Sequence, residues 1–277
     1  MTEFARSRSL AARLDYVAET GSTNTDLIAA AGQAGQPDAL ADFTVLVAGF
    51  QNAGRGRSGR QWDAPAGSSL FVSVLLRPTP AIAPDAYAWL PLLAGLAMRN
   101  AVRRLAAAQS VALDVVVKWP NDVLIAEPDA AEFGGHRKVS GVLSELLPDL
   151  SGVVVGAGLN LTQTRDALPV ETATSLAIHS VTATLDDALA EYLGELRGLY
   201  SRFVSAGGDA VTSGLRQEVA DACESVGRRV RAILPGGAER LGVGKGIDST
   251  GRLTVLFDGE SAATQVAAGD IVHLRHN

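Results

Sequence analysis

The run Gly54-Arg55-Gly56-Arg57-Ser58-Gly59-Arg60-Gln61-Trp62 places three guanidiniums within six residues of a glycine-rich segment. Glycines let a backbone approach a ligand, and arginines fork onto phosphate or carboxylate oxygens. The run contains GxGxxG, but a dinucleotide site needs that pattern on a strand-to-helix turn. Asp63-Ala64-Pro65-Ala66-Gly67 cannot continue a helix. No Gly-Lys-Ser/Thr follows, so it is not a P-loop. In a chain of net charge −6, so dense a cluster favours an anionic ligand. The plain alternative is a solvated basic loop or a nucleic-acid contact.

Lys118-Trp119-Pro120-Asn121-Asp122 follows a strand-like stretch. Pro120 is expected to hold Trp119 extended, and the strand end to project the Lys118 ammonium from a fixed scaffold. A snorkelling lysine beside a core tryptophan fits the same residues. In Gly156-Ala157-Gly158-Leu159-Asn160, two glycines weaken a strand and suggest close approach of a ligand or another backbone. The Asn160 amide offers the donor and acceptor that an adenine edge requires, although a bulge with a solvent-facing asparagine explains it alone. Gly21-Ser22-Thr23-Asn24 reads fully as a helix cap. Gly141-Val142-Leu143-Ser144-Glu145 reads as a strand. His136, His179, His273 and His276 show no metal spacing, and HExxH, CxxC and GxSxG do not occur.

The elements that must carry these residues follow from periodicity. Buried strands are expected at 44–48 and 70–76, with further strands at 114–118, 138–147 and 152–161. A short first element is expected over 10–17. Residues 21–26 cap a helix over 27–31. Residues 51–69 form a loop, and 125–138 a polar surface insertion. Helices are expected over 88–108, 185–204 and 211–223. From Val226 onward, short apolar alternations are broken by Pro235-Gly236-Gly237, Asp258-Gly259 and Gly269-Asp270. They predict a small β-barrel, with a domain boundary near residue 223.

Composition bounds the rest. With 277 residues, 47% hydrophobic and 19% charged, the chain has enough apolar material for a large core and a small appendage. One cysteine, Cys223, excludes an internal disulfide framework. The first 21 residues hold no apolar h-region, and no apolar run is long enough to span a bilayer. The expectation is a cytoplasmic protein that does not associate with membranes.

In order, the chain reads GSTN (21–24), QNAGRGRSGRQW (51–62), KWPND (118–122), KVSGVLSE (138–145) and GAGLN (156–160). This order and spacing strongly resemble those of biotin protein ligases, the biotin–[acetyl-CoA-carboxylase] ligases. The motifs span residues 14–165, and the β-rich C-terminal part fits as well. The resemblance implies an α+β fold: a mixed β-sheet packed with helices, like that of class II aminoacyl-tRNA synthetases, plus a C-terminal SH3-like β-barrel. Residues 1–223 would form the catalytic domain and 224–277 the barrel.

The activity so implied has two steps. Biotin and Mg2+-ATP give biotinyl-5′-AMP and pyrophosphate. A lysine of a biotin carboxyl carrier domain then takes the biotinyl group and releases AMP. By motif, Lys118 and Arg57 would be catalytic. Ser22, Thr23, Asn24, Gln51, Arg55, Gly141, Gly156 and Gly158 would bind biotin. Gly54, Arg55, Gly56, Arg57, Arg60, Trp62, Lys118, Asn121 and Asn160 would hold ATP and the adenylate, with Trp62 stacked on or covering the adenine. No metal ligands are identified. Bifunctional members carry a winged-helix domain before GSTN, where this chain has about 20 residues, so no DNA binding is expected. A monomer or weak dimer is expected. Residues 127–135 lengthen what is usually a short hairpin. A lipoate–protein ligase and a non-catalytic nucleotide- or RNA-binding module are the alternative readings.

Overall fold

The computed structural model describes residues 4–234, 237–266 and 270–273. A first sheet is built from β1 (Arg13–Val17), β2 (Thr44–Ala48), β3 (Ser69–Leu76), β4 (Val115–Lys118), β5 (Asp122–Ala126), β6 (His136–Leu146) and β7 (Val153–Asn160). Its order is β1-β2-β3-β7-β6-β5-β4, with β1 and β2 parallel and the other neighbours antiparallel. β3 reads SLFVSVLL and is buried along its whole length, because helices cover both faces there. On one face α3 (Leu90–Ala107) and α4 (Leu185–Ser205) pack together. Leu93, Ala97, Tyr192, Leu193 and Leu196 join Val72 and Val155 in the main core. A capping box between Thr184 and Asp187 starts α4. On the other face α2 (Thr23–Ala31) sets Leu27 and Ala31 against Leu75, Leu147 and Val154. Two short helices, α1 (Ala5–Arg8) and α5 (Leu215–Ala222), complete this part.

A second, antiparallel sheet holds β8 (Arg229–Ile233), β9 (Glu239–Ile247), β10 (Leu253–Phe257), β11 (Thr264–Val266) and β12 (Asp270–His273), in the order β11-β10-β9-β8-β12. Among the described residues β11 and β12 remain edges, so the expected barrel is an open five-stranded sheet. Two indoles tie it to the first part of the chain: Trp89 Nε1, just before α3, donates to Ser249 O (2.9 Å), and Trp119 Nε1, just after β4, to Gly251 O (3.0 Å).

Several boundaries differ from expectation. Val123-Leu124-Ile125 belongs to a strand, β5, that the adjacent turn and insertion signals hid. The 127–135 segment holds a 3-10 turn over Pro128–Phe133, and β6 begins at His136. α5 starts only at Leu215, because Asp209 Oδ1 accepts from Val211 N and Thr212 N and holds that stretch as a turn. The Trp119–Pro120 peptide is cis. Pro235, Gly236 and Gly269 of the expected turns, and His276, lie outside the described residues. No described helix is long and apolar enough to cross a membrane.

Candidate active site

Strand register lays one row of residues across the α2 face of the sheet. Lys118 pairs with Asp122, Asp122 with Gly141, Gly141 with Gly158, and Gly158 with Phe71. Side chains alternate along a strand, so Ser73, Glu145 and Gly156 share this face. A cavity of about 790 Å³ opens above it. Arg55, Arg57, Arg60, Lys118 and Lys138 line the cavity against only Asp63, Asp122 and Glu132 as acidic groups, an excess of positive charge suited to an anion. Lys138 Nζ lies 2.6 Å from Asp122 Oδ1.

The floor is bare because side chains from elsewhere lie on it. A Cβ at Gly156 would fall 2.2 Å from Asn24 Oδ1, and one at Gly158 would fall 2.6 Å from Trp62 Cε2. At Gly141 it would meet Lys138 Nζ at 2.8 Å and Trp62 Cζ3 at 3.0 Å. The Asn24 amide is buried. Its Nδ2 donates to Leu143 O (3.1 Å) and Glu145 Oε2 (2.8 Å), and its Oδ1 accepts from Ser73 Oγ (2.6 Å). The Trp62 Nε1 is buried with no hydrogen-bond partner among the described residues. The Lys138 ammonium sits 5.3 Å from the Trp62 ring centroid.

Helix α2 begins at Thr23, not at Leu27. Ser22 stands at its N-cap, but its side chain makes no capping bond. Gln51, from the loop after β2, supplies the cap: its Oε1 accepts from Thr23 N (2.8 Å) and Thr23 Oγ1 (3.1 Å). Residues 21–26 therefore do not cap this helix with their own side chains, contrary to expectation. Ser22, Thr23, Asn24 and Gln51 all border the cavity.

The arginine run is a short stem with a reversed tip. Trp62 N donates to Gly54 O (3.0 Å) and Gly56 N to Arg60 O (2.6 Å). The tip turns at Ser58 (φ 56°) and Gly59 (φ 74°). Gly54 is required at the base, since a Cβ there would lie 2.3 Å from Trp62 O. Arg55 Nη2 donates to both oxygens of Glu145 (2.9 and 2.7 Å). Arg57 Nη1 lies 3.4 Å from Asn121 Oδ1, and Asn121 Nδ2 donates to Val142 O (2.7 Å). Arg60 Nε donates to Arg57 O (3.2 Å).

Asn160 lines the cavity, but its amide bonds protein. Nδ2 donates to Thr174 O (2.9 Å), and Oδ1 accepts from Gln163 Nε2 (3.1 Å) and Ser69 Oγ (3.3 Å). It thereby ties down the segment after β7, whose Pro169, Val170 and Thr172 form one wall. The 127–135 segment brings Glu132 and Phe133 to the rim. It is anchored by buried Glu127, which accepts from Arg137 Nη1 (2.5 Å) and Arg165 Nη2 (2.7 Å). Burial alone would push the Glu127 carboxyl up; bonds from Thr174, Arg137 and Arg165 hold it below its usual range.

The second sheet supplies Val272 and His273. His273 Nε2 lies 2.9 Å from Ser225 Oγ, which accepts from Trp119 N (3.2 Å). Burial, then the charges of Lys118 and Arg228, push His273 down to about 3, so the ring is neutral at ordinary pH.

Every residue expected at the site borders this cavity except Gly54, which holds the base of the stem. Asp122, Lys138, His273, Pro169, Val170, Thr172 and Ala173 border the cavity as well, beyond the residues expected there. Lys138 and Asp122 stand inside quoted motifs, where their charge was the available signal. His273 had none, because only docking of the second sheet brings it near Lys118.

A profile of the Biotin/lipoate A/B protein ligase family matches residues 20–160. The chain is 38% identical over 263 residues to a biotin–[acetyl-CoA-carboxylase] ligase of Mycobacterium tuberculosis, covering 95% of this chain and 90% of that protein. It is 32% identical over 243 residues to the bifunctional ligase/repressor BirA of Escherichia coli, covering 86% of this chain and 67% of that one. The fold is shared with a biotin protein ligase from Aquifex aeolicus solved with biotin and ATP. The TM-score is 0.72 at 24% identity, over 96% of this chain and 100% of that chain.

Proposed function

Because the chain belongs to the Biotin/lipoate A/B protein ligase family, we propose that it attaches biotin to a lysine of a biotin carboxyl carrier domain, through biotinyl-5′-AMP and at the expense of ATP. One arrangement supports this above all: Lys118, the arginine stem and the Gly141–Gly158 floor bound a single cavity with an excess of positive charge.

In the first step a biotin carboxylate oxygen attacks the α-phosphorus, and the bond to the bridging oxygen of pyrophosphate breaks. Both reactants are anions, so fixed cations must offset their repulsion and the charge that develops in flight. Lys118 and Arg57 take that role, with Arg55 and Arg60 assisting on carboxylate and phosphate. In the second step the carrier lysine amine attacks the acyl carbon, loses a proton and expels AMP. Thr23 and Gln51 face the ureido head of biotin, whose donors and acceptors must be met once buried. Trp62, at the junction of floor and stem, covers the adenylate and excludes water.

No group of three His, Cys, Asp or Glu side chains converges among the described residues. Mg2+ would enter with ATP, and Asp63, Asp122 and Glu132 are the carboxylates that border the cavity it would reach. Residues 1–223 form the catalytic domain in this reading, and 224–277 a C-terminal domain that completes one cavity wall. The reaction is placed in the cytoplasm, and the chain acts as a monomer or weak dimer.

The test is biotin-dependent exchange of labelled pyrophosphate into ATP, followed by an avidin blot of a carrier domain. Exchange driven by lipoate in place of biotin would replace this reading with lipoate ligation. Exchange with neither acid would end the ligase reading.

A further inference from the structure

Glu145 is not among the residues that line the cavity. It closes the KVSGVLSE motif yet has no role in the reaction described above. On β6 it shares a face with Gly141, and its carboxylate accepts three hydrogen bonds. Two come from Arg55 Nη2 (2.9 and 2.7 Å) and one from Asn24 Nδ2 (2.8 Å). We propose that Glu145 is a positioning residue for acid recognition: it aims the Arg55 guanidinium into the cavity and ties the arginine stem to the start of α2.

The geometry supplies the reason. A guanidinium carries five N–H donors in a rigid plane. Glu145 engages Nη2, whereas Nε and Nη1 of Arg55 have no partner among the described residues. Arg55 borders the cavity, so those remaining donors are available to an anion inside it. A free arginine between Gly54 and Gly56 would lose much rotamer freedom on binding a ligand. Holding it beforehand removes part of that cost.

The anchor is itself rigid. The Arg55 and Glu145 side chains are 45% and 27% exposed, and an isolated pair of that kind contributes little. Glu145 is also held by Asn24, which is 4% exposed and lies against Gly156, where no side chain fits. Ser73, Asn24, Glu145 and Arg55 thus form one polar chain from the sheet to the stem. The consequence for catalysis rests on the proposed biotin ligation; the positioning itself does not.

The test compares Glu145→Ala and Glu145→Gln with the parent, using the full chain, biotin and Mg-ATP. In pyrophosphate exchange, Glu145→Ala is expected to raise the KM for biotin about fivefold or more, with kcat and the KM for ATP within about twofold. Glu145→Gln keeps an acceptor for Asn24 and Arg55, and is expected to recover most of the loss. A merely structural role would shift both KM values and kcat together, and that result overturns the inference; so does an unchanged KM for biotin. If Glu145→Ala does not fold, Glu145→Asp takes its place: its shorter side chain draws the carboxylate away from Arg55, so it must raise the KM for biotin selectively, and an unchanged KM for biotin overturns the inference. Amide hydrogen exchange over residues 54–62 without ligand is the independent arm: Glu145→Ala should accelerate it. Unchanged protection sinks the positioning claim whichever acid the parent activates, whereas failure of the parent with biotin bears on the proposed function.

Discussion

The indole of Trp62 rests on the backbone of Gly158, so closely that a Cβ there would lie 2.6 Å from its Cε2. The contact joins the end of the arginine stem to a β7 residue nearly a hundred positions later. Gly158→Ala should therefore lift the ring from the floor, leaving the sheet paired. The expected outcome is a change in tryptophan emission and at least a tenfold loss of adenylate formation, a cost of about 1.4 kcal/mol or more. Unaltered emission together with normal activity would show that the ring does not need this seat.

Lys118 stands at the end of the row that leads to the glycine floor. Removing a fixed cation from between two anionic reactants should cost on the order of 3 kcal/mol, or more than 100-fold in rate. Lys118→Ala should therefore nearly abolish pyrophosphate exchange while its thermal melt matches the parent. Near-normal exchange with a normal melt would remove Lys118 from the chemistry.

Arg57 occupies the turn at the stem tip, beside Asn121. Its role is expected to be retention of the adenylate more than capture of free biotin. Arg57→Gly should shorten the lifetime of bound biotinyl-AMP after a spin column and label bystander lysines, with a smaller loss of adenylate formation than Lys118→Ala. A variant that keeps the intermediate as long as the parent, and modifies only the carrier domain, would contradict the clamp.

Gly251 accepts the Trp119 indole bond at φ +83°, and a Cβ there would lie 3.0 Å from Leu92 Cδ1. Gly251→Ala combines left-handed backbone strain with crowding against α3, where the second sheet docks. A loss of about 1–3 kcal/mol is expected, read as a lowered denaturant midpoint. If the midpoint does not move, the second sheet is not held by this turn.

His273 carries a pH signature. Its folded pKa, pushed down to about 3, lies below the ordinary 6.5. Between those values the unfolded chain binds a proton that the folded chain does not, so this group's contribution to stability falls as pH drops from 6.5 toward 3. The slope is at most about 1.4 kcal/mol per pH unit. His273→Gln should flatten the dependence of Tm on pH between 6.5 and 4 relative to the parent. Parallel curves for the two proteins would mean that His273 protonates freely in the folded state.

Much of the site was legible in the residues themselves. Guanidiniums between glycines, in a chain of net charge −6, give the expectation of an anion-binding segment. Gly156 and Gly158, two apart on a strand, mark a bare face because strand side chains alternate. Apolar runs such as 70–76 marked the buried strands. What lay beyond local pattern was register and docking. That Lys118, Asp122, Gly141 and Gly158 form one row depends on how four strands pair. That Gln51 caps α2, and that Glu145 holds Arg55 from 90 residues away, depends on where the loops fall once the sheet has formed. The approach of His273 to Lys118 depends on how the second sheet docks, with two indoles bonded to the turn between β9 and β10. Periodicity reports which side of an element is apolar, a property of neighbours in sequence. Which polar groups meet across the cavity is settled by packing between distant segments, where no local repeat carries the information.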